Sequence, residues 1–90
     1  MNREAAEILA LGALGFLAED AERLGRFLAL SGLGPKDLSA RAQDPAFLGG
    51  VLDHLLSDES LLFLFTESQG IEADVPAKAR RQLPGAPVEH

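Results

Sequence analysis

Apolar residues recur along this chain at helical spacing, and the polar residues between them fall where helices begin and end. No stretch shows the strict alternation of a half-buried strand. The most regular segment is Asp44–Gly70, DPAFLGGVLDHLLSDESLLFLFTESQG. Asp44 and Pro45 are a cap and a first-position proline, and Phe47, Leu48, Val51, Leu52, Leu55 and Leu56 make a broad apolar stripe. Asp58 caps a following helix that Gly70 ends. Its Leu61–Phe65 run cannot all be buried on one helix face, so Phe63 or Leu64 either meets the first helix or stays exposed.

The flanking segments read in the same way. A first helix is expected over Glu4–Ala18, capped by Asn2 and apolar nearly all round from Ile8 onward, so burial on more than one side is expected. Gly12 and Gly15 within it cost about 1 kcal/mol each in helix propensity, which close approach of another helix would explain. Asp20 caps a second helix with Leu24, Phe27 and Leu28 inward and Arg23 and Arg26 outward; Gly32 ends it, with Leu33 packing behind. Gly34-Pro35 opens a short third helix with Leu38 and Ala42 inward. A last helix is expected from Glu72 or Ala73 to Leu83, with Val75, Ala79 and Leu83 inward. Its Lys78, Arg80 and Arg81 lie toward the negative end of the helix dipole and, on a DNA-binding reading, would add a surface basic patch. Pro84-Gly85 stops it, and 86–90 reads as a flexible tail. The expected fold is therefore all-α: one compact bundle of five or six short helices over 1–85.

The matching caps suggest an internal repeat. Shifting Arg3–Leu33 forward so that Arg3 meets Arg41 also aligns Gly12 with Gly50, Asp20 with Asp58, Phe27 with Phe65 and Gly32 with Gly70. The chain can then be read as two helix–helix–short-helix halves, 3–40 and 41–79, packed around one core. Two Leu-rich helical hairpins share such identities by composition as well, and both readings stand at this stage.

Composition narrows the function classes. The chain has 90 residues, enough for one small domain, and no cysteine, so no disulfide or thiolate metal site can form. That suits a reducing cytoplasm. Tryptophan and tyrosine are absent, leaving five phenylalanines as the aromatic residues. The net charge of −6 argues against nucleic acid, whose phosphates select basic domains. The apolar run Ile8–Ala18 is shorter than the roughly 20 residues a bilayer needs. Acids flank it where a signal peptide wants bases, so neither export nor membrane insertion is expected.

A set of short motifs spread over nearly the whole chain carries a resemblance. Arg26-Phe27-Leu28 with Ser31-Gly32-Leu33 is followed by Asp44-Pro45-Ala46-Phe47-Leu48. Val51-Leu52-Asp53, Leu55-Leu56, Asp58-Glu59 and Leu61-Leu62 continue it, and Leu83-Pro84-Gly85 closes it. Together these resemble a small uncharacterised family of bacterial proteins catalogued as a domain of unknown function. The resemblance implies an all-helical bacterial domain; it implies no activity and no site residue.

Chemistry-bearing residues are sparse. His54 is the one histidine inside the helical region, without a paired-histidine or HExxH spacing, and reads as a boundary residue near a helix C-terminus. The acids at 19, 20 and 22 and at 58 and 59 fall where caps and first turns want them. No serine lies in a nucleophile pattern with a histidine base. No catalytic residue, cofactor or metal ligand is expected. Apolar surface beyond what one core uses points instead to a cytoplasmic interaction or adaptor domain. Its candidate partner-binding residues are Leu11, Phe63 and Leu64, and its partner is an unidentified protein or a second copy. Two alternatives remain: a small structural homo-oligomer, and a helix-turn-helix over Leu24–Ala42 that would place Lys36 and Arg41 on DNA. Against the latter stand the bulky Leu28 where close helix approach wants a small residue, the late position of Arg41, and Asp37 between the two bases.

Overall fold

A computed structural model describes residues 1–85. The tail expected at 86–90 lies outside the described residues. The fold is all-α: α1 Arg3–Ala18, α2 Ala21–Ser31, a 3₁₀ turn Pro35–Asp37 that runs into α3 Leu38–Arg41, α4 Pro45–Leu56, α5 Glu59–Gln69 and α6 Val75–Arg81.

Side chains set the helix ends much as the sequence suggests. The Asn2 carboxamide oxygen accepts from the Ala5 N–H at 2.8 Å, and Asp20, Asp44 and Asp58 accept from the Glu22, Ala46 and Leu61 N–H groups at 2.9, 3.0 and 3.1 Å. Each bond satisfies a donor that the first helical turn leaves unpaired. Gly32 and Gly70 sit after α2 and α5 at φ 74° and 63°, a conformation that costs a side-chain-bearing residue more than glycine. α6 starts later than expected, at Val75. With a start at Glu72, Pro76 would owe an intrahelical N–H bond; with the start at Val75 it occupies the second position, where none is owed.

α1, α4 and α6 pack on one another, α2 covers α1, and α5 covers α4. The core joins Ala6, Ala10, Ala13, Phe16 and Leu17 of α1 to Leu48, Val51, Leu52 and Leu55 of α4, with Phe27, Leu28, Phe65, Ala79 and Leu83 around them. The Phe16 and Phe65 rings meet edge to face at 5.4 Å, which ties α5 to α1.

Three expectations about facing are corrected here. First, α1 is buried along one face. Ile8 and Leu11 are 63% and 44% exposed, and a Cβ placed on Gly12 or Gly15 would meet nothing within 4 Å. The small residues that admit neighbouring helices are Ala6, Ala10 and Ala13, one turn apart on the inner face. Second, Arg23 does not point outward into water. It is half-buried, with its guanidinium carbon 4.4 Å from the centre of the Phe16 ring, a cation–π contact. Third, Arg80 is not part of a surface basic patch with Lys78 and Arg81. Its side chain is 7% exposed, donates from Nε to Asp53 at 2.7 Å, and binds the Leu83 and Pro84 carbonyls at 3.2 and 3.1 Å. The carbonyls of the turn that follows α6 are thus satisfied from inside the fold.

Candidate functional site

α4 has two faces. Leu48, Val51, Leu52 and Leu55 enter the core, while Phe47, Gly50, Asp53, His54 and Ser57 follow helical spacing on the other side. The C-terminal half of α2 and the loop after it flank that outer face. Between them lies a cleft of about 620 Å³ with Phe27, Leu33 and Phe47 as apolar walls and Leu30 at its lip. Gly50 contributes no side chain, and a Cβ there would meet nothing within 4 Å. The Phe27 ring packs edge-on against both Phe47, at 5.9 Å, and His54, at 5.2 Å. This aromatic row holds α2 against α4 and sets the shape of the cleft.

The charged groups of the cleft are already matched. Arg41 lies 3.9 Å from Asp44, and Asp53 holds the buried Arg80. His54 is half-buried, and its pKa is lowered from 6.5 by burial and by the nearby Arg26, with Asp58 pulling the other way. The imidazole therefore takes up a proton less readily than a free histidine, even though the last turn of α4 favours positive charge. Its ring makes no hydrogen bond among the described residues, and the Ser57 hydroxyl is spent on the His54 carbonyl at 2.8 Å. No acid orients the ring as a general base would require. No group of three metal-ligating side chains stands together among the described residues.

A second, more polar groove of about 350 Å³ adjoins the other side of His54. Asp20, Glu22, Arg23 and Arg26 line it from the α2 side and Asp58, Ser60, Leu61 and Leu64 from the α5 side.

The residues singled out from sequence are not brought together. Leu64, 47% exposed, lines this polar groove, while Phe63, 61% exposed, lies on another side of α5 beside Thr66, Gly70 and Ile71. Consecutive helical positions point about 100° apart, so one site cannot use both. Leu11 is on the outer face of α1 and lines none of these grooves. Lys36 is exposed in the 3₁₀ turn, and Arg41 ends the four-residue α3, where it reaches the cleft. These seven residues form two single turns, short of the two-to-three-turn helix that enters a major groove.

Sequence reasoning missed Leu30, which is 71% exposed. A signal existed: Leu30 falls outside the stripe formed by Leu24, Phe27 and Leu28. Phe47 and Gly50 carried a weaker one, since α4 has more large residues than its inner face uses. No signal joins Asp53 to Arg80, because only the tertiary fold brings them together.

No described helix is long and apolar enough to cross a membrane. No curated protein and no solved structure matches the chain. A family model does match, over residues 3–86, and the chain accordingly belongs to the family described as "Protein of unknown function (DUF3572)".

Proposed function

We propose that this domain is a non-enzymatic docking module of the bacterial cytoplasm, and that the cleft between α2 and α4 takes an apolar segment of a protein partner. The observation that carries this reading is the combination at the cleft: Leu30 stands 71% exposed at its lip, while Arg41 and Asp53 are engaged by Asp44 and Arg80. Such a surface favours the removal of apolar area from water over recognition of a charged ligand. Covering a side chain such as Leu30 contributes about 1.5–3 kcal/mol, so a few apolar residues seated between Phe27, Phe47 and Leu30 suffice for a reversible complex. The absence of an oriented base at His54 supports a binding role over a catalytic one. The lack of cysteine suits a reducing compartment.

The test is site-specific photo-crosslinking in the native cell, with a photoreactive phenylalanine analogue at Leu30 and, as control, at the exposed Glu67. The reading expects one discrete protein adduct from Leu30 and none from Glu67. It also expects Gly50→Leu, which fills the cleft floor, to abolish that adduct. No adduct at Leu30, or one that survives Gly50→Leu, overturns it.

A further inference from the structure

α1 carries two apolar faces. Ala6, Ala10, Ala13 and Leu17 on its inner face are fully buried. On the opposite face Ala5, Ile8, Leu11, Gly12, Gly15 and Ala18 follow the 3–4 spacing of a second stripe, and all six are exposed. Nothing within the described chain covers this stripe. Its two glycines are unexplained by packing, since a Cβ on either meets nothing within 4 Å and each costs about 1 kcal/mol of helix propensity.

The stripe is bulky in its first half and notched in its second. Turned antiparallel about a point between Leu11 and Gly12, it fits a copy of itself. Ile8 then falls opposite Gly15 of the second copy, Leu11 opposite Gly12, and Ala5 opposite Ala18. In a parallel pair each residue meets its own equivalent, so bulk meets bulk and the notches stay empty. A two-fold arrangement needs one self-complementary surface and no second partner. We propose that two copies of this chain associate through the outer faces of α1, packed antiparallel about an axis between Leu11 and Gly12.

The available area sets the strength. A 16-residue helix is about 24 Å long, and its outer face offers on the order of 400–500 Å² per copy. The pair thus buries a little under about 1,000 Å², the low end for specific interfaces, so the dimer is weak and reversible. Charge gives it a signature. Glu4 and Glu19 share the outer face, neither takes part in an ion pair among the described residues, and the antiparallel register sets each opposite the other. The dimer therefore tightens with added salt, whereas a basic heterologous partner would loosen. This inference uses α1 alone and is independent of the cleft between α2 and α4.

The experiment is sedimentation equilibrium of the full chain from about 10 µM to about 1 mM, the range in which so small an interface dissociates. The mass rises toward a dimer with concentration, more steeply at high salt. Glu19→Lys, which sets a lysine opposite Glu4, tightens the dimer several-fold at low salt. Ile8→Glu abolishes it with the circular dichroism spectrum unchanged, because Ile8 supports nothing inside the monomer. Because the chain has no cysteine, single substitutions also report the register. Ile8→Cys and Gly15→Cys mixed under oxidation form a disulfide-linked dimer. Either alone does not, since each lies about 10 Å along the axis from its own counterpart, beyond disulfide reach. A monomer at every concentration, a dimer that survives Ile8→Glu, or self-crosslinking of Ile8→Cys overturns the proposal.

Discussion

Arg80 donates from Nε to a carboxylate oxygen of Asp53 at 2.7 Å, joining α6 to the outer face of α4 across 27 positions of sequence. The guanidinium is 7% exposed while the carboxylate is 51% exposed, so the pair has one dry end and one wet end. The dry end depends on the wet one. Without the charge of Asp53 the buried cation has only neutral oxygens as partners. Asp53→Asn is expected to destabilise the fold by about 1–3 kcal/mol, below the 3–5 of a fully buried pair because water reaches the carboxylate. Arg80→Met also destabilises, since the Leu83 and Pro84 carbonyls lose their donor. Urea denaturation of the double variant should show a loss smaller than the sum of the two, as residues in one network are not additive.

Gly49 exists for that guanidinium. A Cβ there would lie 2.8 and 3.0 Å from the Arg80 Nη1 and Cζ atoms and 3.1 Å from the Pro84 carbonyl oxygen. Gly49→Ala should cost about 1–3 kcal/mol by overpacking, although alanine is the better helix former. Gly25→Ala in α2 should do the reverse, because a Cβ there meets nothing within 4 Å. It should stabilise the protein by about 0.5–1 kcal/mol. Thermal melts of the two variants moving in opposite directions would confirm the assignment; equal shifts would refute it.

His54 makes stability depend on pH. Its pKa is lowered in the fold by burial and by Arg26, so below its ordinary 6.5 the unfolded chain binds the proton more readily than the native one. The contribution is fully present above pH 6.5 and declines as pH falls through that value toward the lowered native pKa. His54→Gln should flatten the part of the stability curve that falls away as pH drops through about 6.5, measured in a His90→Ala background. A proton NMR titration of the imidazole giving a native pKa at or above 6.5 would contradict the assignment.

Two phenylalanines two positions apart on α5 should respond very differently to truncation. Phe65 is fully buried against Phe16, and Phe65→Ala should cost about 3–5 kcal/mol. Phe63 is 61% exposed, and Phe63→Ser should change stability by less than about 0.5 kcal/mol. Denaturation midpoints read both. A large loss at Phe63 would mean that α5 is rotated relative to the packing described above.

Features set by neighbours in the chain were legible in the sequence. Asn2, Asp20, Asp44 and Asp58 cap helices because a short acceptor beside a helix start meets the free N–H groups two or three residues on. Gly32 and Gly70 end α2 and α5 because a left-handed residue closes those ends and glycine takes that conformation at least cost. The inner face of α4 was readable for a related reason: residues one turn apart share a side of a helix whatever packs against it.

Facing and pairing between helices were decided by the tertiary structure alone. From Ile8 onward α1 is apolar nearly all round, so its sequence could not say that the alanine face turns inward and leaves Ile8 and Leu11 in water. Five apolar residues in a row on α5 cannot all be buried, and the Phe16 ring is what selects Phe65. Arg80 reads from sequence like any base near a helix C-terminus. It is buried because Gly49 leaves room and Asp53 supplies the opposite charge, two conditions met on another helix far away in the chain. Local rules act over about four residues, and each of these outcomes depends on a contact made over a longer span.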